Sequence, residues 1–157
     1  MADIGTFPTI YQVVDQGHQF ARAAKAGADI KAGMVVAYAD TGVTDTVHPH
    51  IKGTTASIAG VAMYDIDSGS WGTILTNGAI VYVANADDTT GIDAGAVVEG
   101  NDNAVGGTVS AAAYALTTAV DEELKNDLLG YAIEDIAGGA TGRVMINIGV
   151  TARNIGP

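Results

Sequence analysis

The chain has 157 residues, enough for one ordinary domain or two very small ones, and only 16% of them are charged while 48% are hydrophobic. Its 18 acidic residues stand against 7 Lys and Arg, a net charge of −11 that repels phosphate and so argues against nucleic acid or an anionic membrane as a partner. Cysteine is absent, which removes disulfides, thiolate nucleophiles and Cys-ligated metals and leans toward a reducing compartment. Val (16) and Ile (14) far outnumber Leu (5), a β-branched excess that favours strands.

In chain order, residues 1–18 read as an N-terminal arm or first strand. Ile4, Phe7, Ile10 and Tyr11 are its large apolar side chains. Pro8 keeps the segment extended, and 10–14 has strand character. Such a terminus is expected to be tied down, on a neighbouring protomer, on a partner's sheet edge, or as a first strand packed in its own domain. It has neither the basic start nor the apolar run of a signal peptide, and the longest purely hydrophobic stretch, 79–84, is far short of a membrane span.

Residues 19–157 read as a single compact β domain. Strands are expected over 34–39, 58–64, 73–76, 79–84, 96–99, 108–111, 129–134 and 143–148, separated by Gly-containing turns. In the last of these Val144, Ile146 and Ile148 share one face, and Arg143, Met145 and Asn147 the other. One short helix is expected near 119–128: Thr118 caps it, Val120, Leu124 and Leu128 recur every four residues, and three acidic residues crowd its first turn. The fold class is all-β or mainly β, a small sandwich or barrel of short strands.

The domain contains an internal echo. IKAGMVV at 30–36 matches IDAGAVV at 92–98, displaced by 62 residues, and GVAMYDIDSG at 60–69 matches GYAIEDIAGG at 130–139, displaced by 70, with five of ten positions identical. Order and spacing agree, which points to a duplication with halves at about 28–83 and 90–150. Two copies are too few for a solenoid.

Motifs for chemistry are sparse. His48-Pro49-His50 could turn two imidazoles to one side of an extended segment, with Asp45 nearby, but no helical metal signature accompanies it. Asp65-Ile66-Asp67 and Asp87-Asp88 lack the rest of a calcium loop. Ser57, Ser68, Ser70 and Ser110 lie outside any nucleophile motif, and only His18, His48 and His50 could serve as a base. The Gly-rich stretch 138–143 lacks the ending of a P-loop and leads into a strand. Tyr64, Trp71 and Tyr82 could form a sugar-binding platform, with core or interface use as the plainer reading. No catalytic residue, metal or cofactor is assigned. The chain reads as a non-enzymatic protein whose product is its own shape.

The runs ADIKAGMVV (28–36), IAGVA (58–62), GAIVYV (78–83), LGYAI (129–133) and ATGRV (140–144) resemble the small capsid cement (decoration) proteins of tailed bacteriophages, over roughly residues 20–150. The long N-terminal arm and the insertion at 121–127 depart from that family's compact pattern. The resemblance implies a structural protein, made in the host cytoplasm and located on the virion's capsid surface. It implies a homotrimer that docks on the major capsid protein of an assembled head and stabilises the lattice, and it makes a capsid subunit the partner whose sheet edge the N-terminal arm would join. Another virion, tail or fibre β module is the alternative, and a carbohydrate-binding β-sandwich is a further one.

Overall fold

The computed structural model describes residues 12–13, 21–39, 45–52, 56–87, 89–101, 106–112 and 127–148. Among these residues the eleven elements are all strands: β1 Gln12–Val13, β2 Ala21–Ala26, β3 Val35–Tyr38, β4 Thr46–Pro49, β5 Ile58–Ala62, β6 Trp71–Leu75, β7 Ile80–Ala84, β8 Val97–Gly100, β9 Val109–Ala111, β10 Leu128–Ala132 and β11 Thr141–Ile146. The strands β2-β4-β3-β5-β6 form a closed barrel, and β1-β7-β11-β10-β8-β9 form a six-stranded sheet. The all-β expectation therefore holds, with the barrel option realised in the first half.

The two halves follow one plan. β2 and β6 pair antiparallel, as do β7 and β11. β3 pairs antiparallel with both β4 and β5, and β8 does the same with β9 and β10. The first barrel closes by parallel pairing of Lys25 with Thr46 and Ala26 with Val47. In the second half the matching closure is a single parallel bridge, Asn85 to Val109.

The echoed sequences occupy matching places in this plan. Ile30 bridges Ile66, and Ile92 bridges Ile136. Asp65 Oδ1 accepts from the Ala32 amide at 2.9 Å, and Asp135 Oδ1 accepts from the Ala94 amide at 2.8 Å. Each carboxylate thus secures an Ala-Gly turn whose glycine, Gly33 or Gly95, has φ near +80° (79° and 82°), the left-handed region that only glycine enters freely. Ile66 packs over Gly72 and Ile136 over Gly142, so the second Ile of each bridge plugs its own half.

Side-chain alternation then divides inside from outside. Ala24, Ala26, Ile30, Val36, Val47, Ala59, Ala62, Ile66 and Ile74 form the core of the first barrel. Their neighbours on the opposite face, Val35, Ile58, Val61 and Leu75, belong instead to the larger core of the second half, with Val81, Val83, Val98, Leu129, Val144 and Ile146 among others. One side of the first barrel is therefore the surface on which the second half packs, and the hydrophobic effect that folds the second half also docks the two.

Three expectations need correction. Leu128, the last residue of the expected helix, opens β10 and pairs with Glu99 of β8; positions 119–126 lie outside the described residues. β2, sequence ARAAKA, was not expected as a strand, because Ala-rich, polar segments have weak β preference. It is a strand because both its edges are paired, by β4 and β6. β4 is likewise absent from the expected strands: Pro49 cannot donate to a ladder, so it sits at the strand's last position.

Candidate interaction surfaces

The first surface is the edge of β7. Gln12 and Val13 of β1 pair antiparallel with Val81 and Ile80, so the part of the N-terminal segment that is described adds a strand to the second half. The four apolar residues singled out in this segment, Ile4, Phe7, Ile10 and Tyr11, lie outside the described residues.

The second surface is an aromatic face on the first half. Trp71 is 60% exposed, Met63 40% and Tyr64 37%. Met63 bonds across to Thr73 through the backbone, and the Tyr64 and Thr73 hydroxyls lie 3.0 Å apart. Trp71 stands two residues before Thr73 on the same strand face. The corresponding positions of the second half carry Ile133, Glu134, Thr141 and Arg143. There Glu134 accepts from the Arg143 amide and from both Nε and Nη2 of its guanidinium, at 2.9, 2.9 and 2.6 Å. The Arg143 side chain, and then its amide, hold the Glu134 carboxyl below its usual range. One half thus offers water a self-satisfied ion pair where the other offers an aromatic face. Tyr82, the third residue of the imagined sugar platform, pairs with Arg143 in the second half, whereas Tyr64 and Trp71 belong to the first.

The third surface follows from the shared plan. The second-half counterparts of Val35, Val61 and Leu75 are Val97, Tyr131 and Met145. These are half-buried, half-buried and 40% exposed, against complete burial in the first half.

The histidine pair is divided. The His48 ring lies against Gly27, and His48 is exposed. His50 is 1% exposed and reaches into the second half, with its ring over Gly100. Its Nε2 stands 2.9 Å from Oδ1 of Asp127. Beside it in sequence, Lys52 Nζ bonds Glu99 Oε1 at 2.6 Å, and Glu99 is 1% exposed. Both contacts tie the first half to the second. The sequence signal for them was a glycine, Gly100, where the first half has Tyr38: the missing side chain leaves room for the His50 ring. In the first half Tyr38 packs against the first core, with the Arg22 guanidinium 4.7 Å from its ring centre.

The acidic motifs serve turns. The Ala32 amide, and then the Lys31 ammonium, keep the Asp65 carboxyl below its usual range. Asp87 is lowered further, to about 2, chiefly by the Thr89 amide and hydroxyl and then by Thr90. Its turn is therefore expected to stay intact under acid until the pH falls through that value, with the contribution fully present above about 3.8; amide exchange of Thr89 and Thr90 would report it. No group of three or more potential metal ligands occurs among the described residues. Added zinc or calcium is expected to move the melting temperature by no more than about 2 °C. A larger shift, abolished by His48→Ala, would reveal a ligand set.

Taken together, the described residues define a chain of two matching five-stranded β units with an added N-terminal strand. No family model matches this chain, and no curated protein does. Among solved structures it is similar to the head fiber gp8.5 N base of bacteriophage phi29, with a TM-score of 0.55 and 19% identity over 83% of this chain and 95% of that one. At that identity the likeness is one of fold.

Proposed function

We propose that this chain is a non-enzymatic structural protein of a bacteriophage head, which docks on the outer surface of the capsid and stabilises its lattice. The observation that carries this reading is the fold shared with the phi29 head-fiber base along nearly the whole of that chain. Sequence motifs resembling capsid cement proteins point the same way. A base for a fibre is the second reading, favoured because that same structure is the N base of a head fiber. Heating purified heads with and without the protein separates the two: a lattice stabiliser raises the temperature at which heads release DNA, and a fibre base leaves it unchanged.

The reading includes a homotrimer in contact with the major capsid protein. The face bearing Val97, Tyr131 and Met145 repeats the position by which the first half docks on the second, and it suits a second copy of the chain. Light scattering should return three times 15.8 kDa; a monomer at micromolar concentration removes this part. The N-terminal segment with Ile4, Phe7, Ile10 and Tyr11 is assigned to the capsid or to a neighbouring protomer, as added strands are elsewhere. A chain beginning at Gln19 should then fold and lose head binding. If it binds heads as well as the full chain does, the assignment fails.

A further inference from the structure

We propose that the seam between the two halves is an acid-labile latch, built on the buried His50–Asp127 contact and opening below neutral pH while each half keeps its own strands. The argument begins with placement. His50 follows β4 in the first half, yet its ring fills the space over Gly100 in the second, and a Cβ at residue 100 would lie 2.0 Å from the ring. The side chains of His50 and Asp127 are 0% and 2% exposed. Around them run backbone bonds that cross the seam: Val35 N donates to Gly107 O at 2.8 Å, Gly107 N to His50 O at 2.8 Å, and Lys52 N to Asn101 O at 3.1 Å.

Protonation conflicts with this geometry. An imidazolium has two N–H donors that must both be satisfied when buried. Nε2 faces Asp127 Oδ1 at 2.9 Å without the alignment of a hydrogen bond, and Nδ1 is buried with no hydrogen-bond partner among the described residues. The closed seam therefore accommodates a neutral ring and strands a donor on a charged one. Among the described residues, the other charged groups at the junction are Glu99, whose Oε2 has no hydrogen-bond partner there, and Lys52, which bonds its Oε1. Asp127 attracts a proton onto the ring, whereas burial and the unpaired Nδ1 oppose it. Burial prevails, pushing the imidazole down to about 4. The sign follows: above the ordinary value near 6.5 the latch is unaffected, and as the pH falls from there the open seam, with its exposed histidine, takes up a proton that the closed seam refuses.

The test is native-state hydrogen exchange by NMR on the full chain between pH 7 and 4.5, corrected for intrinsic rates. The amides of Val35, Gly107 and Lys52 report the seam; those of Ile30, Ile66, Ile92 and Ile136 report the two halves. Opening of the seam is expected to rise roughly 60-fold across this range, with the four Ile amides changing far less. His50→Gln keeps a donor toward Asp127 but cannot take up the proton, and its seam response should be flat. Should that variant not fold, the ring resonances of His50 in the unaltered chain decide: they should show a neutral imidazole down to about pH 5. Seam and Ile amides rising together, an unchanged response in His50→Gln, or a ring that protonates above pH 6.5 would each overturn the proposal.

Discussion

Gly130→Ala is expected to lower the unfolding free energy by about 3 kcal/mol, and Gly60→Ala, at the matching position of the first half, by a comparable amount. A Cβ on Gly130 would stand 1.9 Å from the Met145 carbonyl oxygen and 3.0 Å from the Asn147 nitrogen; on Gly60 it would stand 2.2 Å from the Leu75 carbonyl oxygen. These neighbours are backbone, so no rotamer change relieves the overlap. In the second half the strand must move away from β11, loosening the bond from the Asn147 amide to the Leu129 carbonyl. In the first, Gly60 also has φ +155°, which adds backbone strain. Gly95→Ala is the control. Nothing lies within 4 Å of its added Cβ, so only the left-handed φ opposes it, at about 1 kcal/mol. Urea unfolding should rank the three accordingly, and equal midpoints would contradict the packing described for β5 and β10.

Leu75→Ala should cost about 3 kcal/mol, while Met145→Ala, at the same position of the other half, should cost less than about 1 kcal/mol in the isolated chain. Leu75 is 1% exposed and belongs to the core shared by the two halves, whereas Met145 is 40% exposed. Leu75 of β6 pairs with Val61 as Met145 of β11 pairs with Tyr131, so the difference isolates what docking contributes. If a second copy covers Met145, the cost of its truncation appears only at protein concentrations where the chain self-associates.

Much of the architecture was legible because it rests on residues whose roles are local. The Ala-Gly turns, the glycines at the centre of β5 and β10, and the paired Ile30–Ile66 and Ile92–Ile136 bridges all leave a trace in the sequence echo. What escaped were features set by distant partners. β2 has the composition of a helix or loop and becomes a strand through β4 and β6. β4 contains a histidine and a proline, and only the closure of the barrel requires it. His50 looked like half of a metal pair because neighbours at i and i+2 share a side in an extended chain. It turns inward because Gly100, fifty residues later, leaves space for its ring. The aromatic face was visible as three residues, but which of them share a half depends on strand register. Trp71 and Tyr64 fall on one half, and Tyr82 falls beside Arg143 on the other.

The central claim is that this pair of β units docks on a phage head, and co-sedimentation with purified heads of a phage whose genome carries this sequence tests that most directly. The full chain, mixed with heads at about 10 µM, should pellet in a saturable manner, with a fixed number of copies per head. It should stay in the supernatant when unassembled capsid protein replaces the heads. A folded chain that remains in the supernatant with the heads as well, at the same concentration, would contradict the account.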